Sequence, residues 1–583
     1  MRANFLILVL LGAALPLFSQ QGSIDHPHIR WQYDAGAPVR GGMAIDGDRL
    51  YFGNSDGVLF CLDKAAGRLV WQFKTGGAIT CTPAVVDGKV IFQSRDNRVY
   101  ALKASTGKPA WQFKMQGSAP HTWGWDYYTP MPVISGRQVL IGSGDHHLYA
   151  LDLKTGKMTW SFEAGDKIRA APLVAENRLF VPAFDGYVYV LDPATGAETG
   201  KFKTEGVGYY DKVYGWDRTS ITGQPALNNG RLVFGSRDGG LYCIDARTLE
   251  QKWRFAYGAS WVGSAPVIDG QTVFVGWSDQ LVFSAFDLET GKERWQYNCK
   301  AYVYATPVTD SRNVYAGSFN GKVYGFEKET GKVAWEYQTG NAVLSSPALE
   351  NGVLYIGSDN GRVYAFENGP PTFKAVYQPR KIVENELLSD KRIAPWLEEQ
   401  GYQRLDTTDL GQFMRDRIRD GNPSVVVFAH EYLPGDVSGD DPDQSLLKKY
   451  MESGGKVVWL AFLPKYWTPD KDLNIVAFNP GYSAKLLGLD FDIHMDFGTY
   501  YAKTTNAGLE WGLPAEFTAP GSTIRGGEGL VVLAANEFGR IVSFYKPFGN
   551  RPGAGFVSFR SWSLTPIREA DMMTIMAVAE HGL

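Results

Sequence analysis

The stretch Gly321–Trp335 reads GKVYGFEKETGKVAW, and most of the first two-thirds of the chain is built from near-copies of it. The same cassette recurs as GVLFCLDKAAGRLVW (Gly57–Trp71), HLYALDLKTGKMTW (His147–Trp160) and GYVYVLDPATGAETGKF (Gly186–Phe202). Each copy reads as a strand, an acidic residue, a tight Gly turn, and an aromatic residue opening the next strand. Those aromatics fall at Trp31, Trp71, Trp111, Trp160, Phe202, Trp253, Trp295 and Trp335, and Trp31, Trp71 and Trp111 lie 40 residues apart. A unit this short cannot bury its own apolar face, so neighbouring units must stack on one another. The unit Ala342–Glu367 shows the internal plan: strands Leu344–Leu349, Val353–Gly357 and Arg362–Glu367, joined by turns carrying Asn351-Gly352 and Asn360-Gly361. Asn-Gly turns supply the positive φ that tight antiparallel hairpins need. Eight such four-stranded units predict an all-β, eight-bladed β-propeller over residues 21–369, an arrangement that leaves only short sheet edges. The unit ending at Glu367 lacks its Trp-led fourth strand, and Trp31–Tyr33 precedes any complete unit. The reading therefore has Trp31–Tyr33 closing the last blade.

The pattern Ala150-Leu-Asp-Leu-Lys-Thr-Gly-Lys-Met-Thr-Trp160 resembles the repeat of the PQQ-like propellers, a superfamily of quinoprotein alcohol dehydrogenases and the BamB assembly proteins. The resemblance implies the ring fold. It implies PQQ with calcium only if an adjacent cysteine pair and a Glu/Asn/Asp ligand set accompany it. This chain has no Cys-Cys, and its turn aspartates (Asp56, Asp96, Asp145, Asp185, Asp238, Asp279) occupy positions where Asp has a conformational role. No cofactor, metal or catalytic residue is assigned on these grounds.

The first twenty residues, MRANFLILVLLGAALPLFSQ, have the form of a secretory signal peptide: Arg2, an apolar core over Phe5–Leu17, and a small residue at Ser19. The expected location is periplasmic or secreted, with no transmembrane segment. A net charge of −4, spread over 21% charged residues, argues against a nucleic-acid partner. Export permits disulfides. Cys61 and Cys243 nonetheless sit in the small-residue slot of the repeat, so both readings stand: small core residues throughout, or a Cys61–Cys81 bridge.

Two insertions break the rhythm on one face of the ring: Gln116–Pro130 (QGSAPHTWGWDYYTP) and Glu205–Pro225 (EGVGYYDKVYGWDRTSITGQP), each containing Gly-Trp-Asp. That face also carries the turn Asp145-His146-His147, Trp277 in a neighbouring turn, and Trp261, Tyr302 and Tyr304 at inner-strand starts. Aromatic, acidic and His side chains at a concave mouth suit a protein or glycan ligand. The expected binding residues are Trp123, Trp125, Asp126, Tyr128, His146, Tyr210, Trp216, Asp217, Trp261 and Trp277. The alternative is that these loops pack on each other as a cap. His121, Asp126, Asp145 and His146 are metal-ligating types without a ligand-spacing signature.

Residues 370–583 open with Pro370-Pro371 and change character. Apolar runs at Ser424–Ala429 (SVVVFA) and Lys456–Ala461 (KVVWLA) alternate with helical stretches at Ser389–Gly401 and Asp443–Ser453, which predicts a parallel sheet with crossovers. The unit Leu446–Leu460 (LLKKYMESGGKVVWL) is similar to the class I glutamine amidotransferase-like (ThuA-like) α/β domains, which have a flavodoxin-like sheet. No Cys follows Cys299, so the thiolate chemistry of amidotransferases does not carry over. His430, Glu431, Lys465 and Tyr466 fall where such sheets bind ligands, and the acidic loop Pro434–Asp443 reads as a solvated loop. The whole chain reads as an exported binding or scaffold protein, with a hydrolytic or carbohydrate-processing enzyme as the alternative and a PQQ-dependent dehydrogenase behind it.

Overall fold

A computed structural model describes residues 23–117, 128–207, 218–258, 260–379, 392–430, 432–460, 467–469, 475–478, 480–491, 499–520, 524–549, 551, 553–559 and 569–581. The leader, both Gly-Trp-Asp motifs, Glu431, Lys465 and Tyr466 lie outside them.

Eight four-stranded antiparallel sheets form the propeller. Blades 1 to 7 are continuous in sequence, from Ala44–Lys74 (blade 1) to Val308–Gln338 (blade 7). Blade 8 is composite. Its three inner strands are Ala348–Glu350, Val353–Gly357 and Arg362–Asn368, and its outer strand is Pro27–Asp34 from the start of the chain, with Trp31 opposite Ala365.

The repeated Trp explains how blades hold each other. In blade after blade it stands opposite the small residue of the preceding strand: Trp71 against Cys61, Trp111 against Ala101, Trp295 against Ala285, Trp335 against Gly325. Its ring lies on the turn glycine of the next blade. A Cβ at Gly67 would come 2.5 Å from Trp31, and one at Gly331 2.5 Å from Trp295. Its indole N–H donates to the carbonyl three residues before that glycine, as Trp71 does to Ala104 (2.9 Å) and Trp295 to Lys328 (2.7 Å). Glycine is required there twice over, by the ring against it and by a φ near +66° to +69°. Trp335 has no following repeat turn. It donates instead to Ile24 (2.7 Å), a buried residue of the N-terminal stretch.

The expected aromatic at blade 4 is corrected. Register places Gly200, not Phe202, in the Trp slot, opposite Val190. Phe202 belongs two residues on, where it packs edge-on against Phe234 and Tyr242 of blade 5.

The turn aspartates form a second lock. Tyr100, Tyr149, Tyr189 and Tyr242 each donate a hydroxyl to the Asp four residues earlier, at 2.6, 2.8, 2.5 and 2.6 Å. The same carboxylates accept a backbone N–H from the preceding blade's connection: Gly76 to Asp96, Gln116 to Asp145, Gly165 to Asp185, Gly206 to Asp238. Blades 7 and 8 use Asn320–Tyr324 and Asn360–Tyr364. The four cysteines are buried and free, so no Cys61–Cys81 bridge is present.

The second domain is a mixed sheet with few helices. Five strands are parallel, in the spatial order Gln403–Leu405, Phe373–Tyr377, Ser424–Phe428, Gly455–Trp459, Gly555–Ser558. The sheet continues antiparallel through Ile541–Pro547, Val531–Asn536, Thr499–Thr504 and Glu516–Pro520. Alternate strand residues feed two cores. Tyr377, Phe428 and Trp459 pack with the helices Leu410–Asp420 and Leu446–Glu452; Val376, Val427 and Val458 pack with Ile393–Glu399 and Glu569–Glu580. Among the described residues no helix is long and apolar enough to cross a membrane. The domain meets the rim of the propeller where Arg362 of blade 8 donates to Glu510 of the helix Asn506–Glu510 (3.1 Å).

Candidate functional site

The inner strand of most blades begins with a short apolar-x-small-x-Pro lead, as in Ile79-Thr-Cys-Thr-Pro83 and Val303-Tyr-Ala-Thr-Pro307. The residue before that proline, or its counterpart in blade 1, faces the ring axis. All eight such residues border one axial cavity of about 240 Å³: Gly42, Thr82, Met131, Ala171, Gln224, Ala265, Thr306 and Ser346. A second tier comes from the position three before the proline: Thr80, Thr129, Arg169, Thr222, Gly263 and Tyr304. Arg237, Phe184, Trp261 and Tyr128 complete the wall on the mouth side.

Arg169 and Arg237 are 6% and 3% exposed. The Arg237 guanidinium lies 3.8 Å from the centre of the Trp261 ring, within the range where a cation is held by the ring's negative face. Trp261 is itself fixed by backbone contacts, accepting from Ser278 N–H and donating its own N–H to Ser278 Oγ, both at 3.0 Å. Gly263 leaves room for Tyr304: a Cβ there would come 2.2 Å from its ring. Tyr304 stacks on Tyr302 at 5.8 Å and 10°, and Phe319 meets both edge-on. The aromatic surface therefore runs from the half-exposed Tyr302 down to the cavity wall. Tyr128 donates its hydroxyl to the carbonyl of Leu344, tying the lead of blade 3 to that of blade 8 (2.9 Å).

Of the ten residues expected to bind, Tyr128 and Trp261 border this cavity. Trp123, Trp125, Asp126, Tyr210, Trp216 and Asp217 lie outside the described residues. The other two do not border it. Trp277 is fully buried between blades 5 and 6, edge-on to Tyr257 at 4.8 Å and packed near Phe255 and Phe286. It fills a slot that holds Ser94 or Ser358 elsewhere, and Tyr257 replaces the Thr that bonds that Ser in blades 1–2 and 7–8 (Thr75–Ser94, Thr339–Ser358). A hydroxyl pair has become an aromatic pair. His146 occupies a turn with φ +73°, where Gly186 and Gly321 stand in sister blades. It leans toward Asp166 (Nε2–Oδ1 3.7 Å) and does not border the cavity.

Arg169 and Arg237 are the residues that motif reading missed. Alignment of the leads on their prolines would have exposed Arg169, since it shares a slot with Thr80, Thr222 and Tyr304. Arg237 sits in a turn slot held by Arg95 and Phe184 in other blades and carries no signal of its own.

A calcium-loaded quinone makes a specific demand on this wall. The described lining has no carboxylate, and Cys81 has no cysteine beside it. Among the described residues, no group of three or more His, Cys, Asp or Glu could hold a metal. Asp145, once a candidate ligand, is held by Tyr149, Gln116 N–H and His147 N–H. The described residues thus do not fit a metal-bound quinone.

At the carboxyl edge of the second sheet, His430 accepts the Tyr432 N–H on Nδ1 (3.0 Å), and burial pulls its pKa down to about 4. The imidazole is neutral at pH 7 with its proton on Nε2. In the acidic loop, Asp443 pairs with Lys448 (2.6 Å) and Asp441 with Lys485 (2.8 Å), which lowers the pKa of both carboxyls.

A family model described as outer membrane protein assembly factor BamB matches the chain at residues 24–123, 120–204, 184–301 and 278–371, and the MJECL34 family matches 367–580. The uncharacterized protein MJECL34 of Methanocaldococcus jannaschii is 29% identical over 106 residues, 16% of this chain and 36% of that protein, so the chain spans about a third of its relative. BamB from Moraxella catarrhalis aligns at 20% identity over 59% of this chain and 100% of its own, with a TM-score of 0.49. Quinohemoprotein alcohol dehydrogenase from Comamonas testosteroni aligns at 15% identity over 64% of this chain and 81% of its own, also at 0.49. With its model matched four times in succession across residues 24–371, the chain belongs to the family described as outer membrane protein assembly factor BamB.

Proposed function

We propose that this chain is an exported binding protein whose propeller holds a partner at its mouth, with the second domain docked at the rim as a further surface. The observation that carries this reading is the axial cavity: concave, lined from every blade, largely apolar, with a few convergent polar groups and an aromatic ramp leading in. Membership in an assembly-factor family favours a protein as the partner, with a glycan the other ligand that stacked aromatic rings accept. The leader at residues 1–20 supports a periplasmic or secreted location.

The strand order of the second domain, with the second parallel strand outside the first and the third to fifth on the other side, supports a flavodoxin-like reading of this mixed sheet. We read it as an amidotransferase-like scaffold lacking the cysteine nucleophile. The hydrolase alternative has one observation in its favour, His430 at the carboxyl edge. With Nδ1 occupied by a backbone N–H, that imidazole is arranged to donate a hydrogen bond rather than to take a proton.

Cell fractionation and pull-down from envelope extract test the binding reading together. The full chain is expected in the exported fraction, retaining a partner that Trp261→Ala with Tyr304→Ala releases while the melting temperature stays unchanged. Equal retention by wild type and variant would remove the mouth as the site.

A further inference from the structure

We infer that the turn ending the helix Glu569–Glu580 is an acid-released latch: a proton taken up by His581 stands beside the buried Lys456 and near Arg362, and loosens both this helix and the junction with the propeller. The device belongs to the second domain and is independent of what the propeller mouth holds.

Three elements meet on one indole. Lys456, in the strand Gly455–Trp459, is fully buried, and its Nζ donates to the carbonyls of Val578 (2.6 Å) and His581 (2.7 Å) at the helix end. Carbonyls left over at a helix C-terminus carry partial negative charge and hold a cation. The same Nζ lies 4.5 Å from the centre of the Trp511 ring, and the His581 imidazole stacks on that ring at 4.4 Å and 29°. Gly512 lets the chain pass close to the helix, since a Cβ there would come 3.0 Å from Ala577. Trp511 directly follows Glu510, whose carboxylate accepts from Arg362 of blade 8 (3.1 Å). The indole is therefore one residue from the contact that joins the domains.

The charges acting on His581 have one sign. Lys456 reaches it from the sheet and Arg362 from the propeller. The carboxylates nearby are engaged with other groups: Glu580 accepts from Lys374 (2.7 Å) and Tyr402 (3.1 Å), Glu510 from Arg362, and Glu398 of the neighbouring helix Ile393–Glu399 from Arg404 (3.4 Å). Tyr545, the other ring against Trp511, donates its hydroxyl to Ala554 (2.6 Å). Tyr337 of blade 7, near Arg362 and Glu510, stays neutral because burial raises its pKa. His581 is partly exposed, so a proton reaches it, and it would be repelled there by the two cations.

Burial first, then Lys456 and Arg362, pulls the His581 pKa from its ordinary 6.5 down to about 3. An imidazole freed by opening titrates at its ordinary value, so the open form takes the proton first. The latch is complete above pH 6.5 and weakens as pH falls toward about 3. Burial also holds the Lys456 pKa well below that of a free lysine, so its protonation favours the open form too and acts with the same sign.

Hydrogen exchange of the full chain, read by mass spectrometry at pH 7 and pH 5 and corrected for intrinsic rates, tests the latch. The His581 displacement alone raises the opening equilibrium about twentyfold between these conditions. Residues 569–581 and 506–511 are both expected to exchange at least tenfold faster at pH 5. The helix Leu410–Asp420, which packs in the domain's other core, is the reference and should change less than threefold. His581→Phe keeps a ring on Trp511 and removes the proton site, so it should cut the rise to less than threefold. No rise at residues 569–581, a rise shared equally by the reference helix, or a full acid response in His581→Phe would overturn the latch. A rise at 569–581 with 506–511 unchanged would overturn its link to the junction. The wild-type comparison needs no variant, so a His581→Phe chain that fails to fold does not shield the proposal.

Discussion

Gly200 of blade 4 and Leu249 of blade 5 exchange the sizes that six other neighbouring pairs of blades assign to Trp and Gly. Where Trp160 presses on Gly196 and Trp253 on Gly291, Gly200 stands in the Trp slot, and Leu249 stands at the turn position with φ +61° and its Cδ1 3.2 Å from where a Gly200 Cβ would be. The turn reaches outward to fill the space the indole leaves. Gly200→Trp alone should therefore clash with Leu249, and Leu249→Gly alone should open a void. Each is expected to destabilise by about 1–3 kcal/mol. The double variant recreates the lock used by the other blades, so a double-mutant cycle by urea denaturation should give a favourable coupling of about 1–3 kcal/mol. Additive effects would show that the two positions do not compensate each other.

Removal of residues 23–34 should open the ring. This segment supplies the outer strand of blade 8 from Pro27 to Asp34 and also Ile24, which accepts from Trp335 and Asn313 and donates to Tyr315. Blade 8 would be left with an unpaired edge and Trp335 without its acceptor. The expected result is loss of cooperative thermal unfolding of the propeller, read by calorimetry. A truncated chain with the wild-type melting profile would mean that the ring closes without this strand.

Trp277→Ala should cost about 3–5 kcal/mol, because a fully buried indole among Phe255, Tyr257 and Phe286 leaves a large cavity. Trp277→Phe should cost about 1.5 kcal/mol or less, since the indole Nε1 has no hydrogen-bond partner among the described residues. Denaturant midpoints separate the two outcomes. A Phe variant as unstable as the Ala variant would mean that the indole nitrogen has an essential bond.

Acid should act on the turn carboxylates with opposite signs. Arg294 and Thr290 hold Asp287 down at about 2, so its contribution is complete above the ordinary carboxylate range and is lost as pH falls through about 2. Burial raises the pKa of Asp238, against hydrogen bonds from Tyr242 and Gly240. Its protonation favours the folded state, and its charge is a burden at neutral pH. The stability of Asp238→Asn relative to wild type should therefore be more favourable at pH 7 than at pH 4, measured by urea unfolding at each pH. A difference independent of pH would show that Asp238 does not titrate in this way.

Much of the ring was legible because its signals are local and repeated. A turn Gly with positive φ, a Trp ten residues after a small residue, and an Asp four residues before a Tyr each have one structural use, and repetition makes that use visible. The misreadings have the same origin. Phe202 is the aromatic nearest the expected spacing, but the position ten residues after Val190 is Gly200, and the register pairs those two. Trp277 looked like a mouth residue because it sits in a turn on the mouth face, yet the Thr-to-Tyr257 change across the blade boundary draws it inside. In the second domain the strands announce themselves as apolar runs, while their spatial order does not, because parallel neighbours are chosen by crossovers whose pairing leaves no local mark.

By itself the sequence determined the number of blades and most of the residues that lock them, since each depends on contacts between adjacent repeats at fixed spacing. Only the tertiary structure decided what lies on the axis. Thr80, Arg169, Arg237, Trp261 and Tyr304 come from five different blades, and a closed ring brings them to one cavity however far apart they stand in the chain.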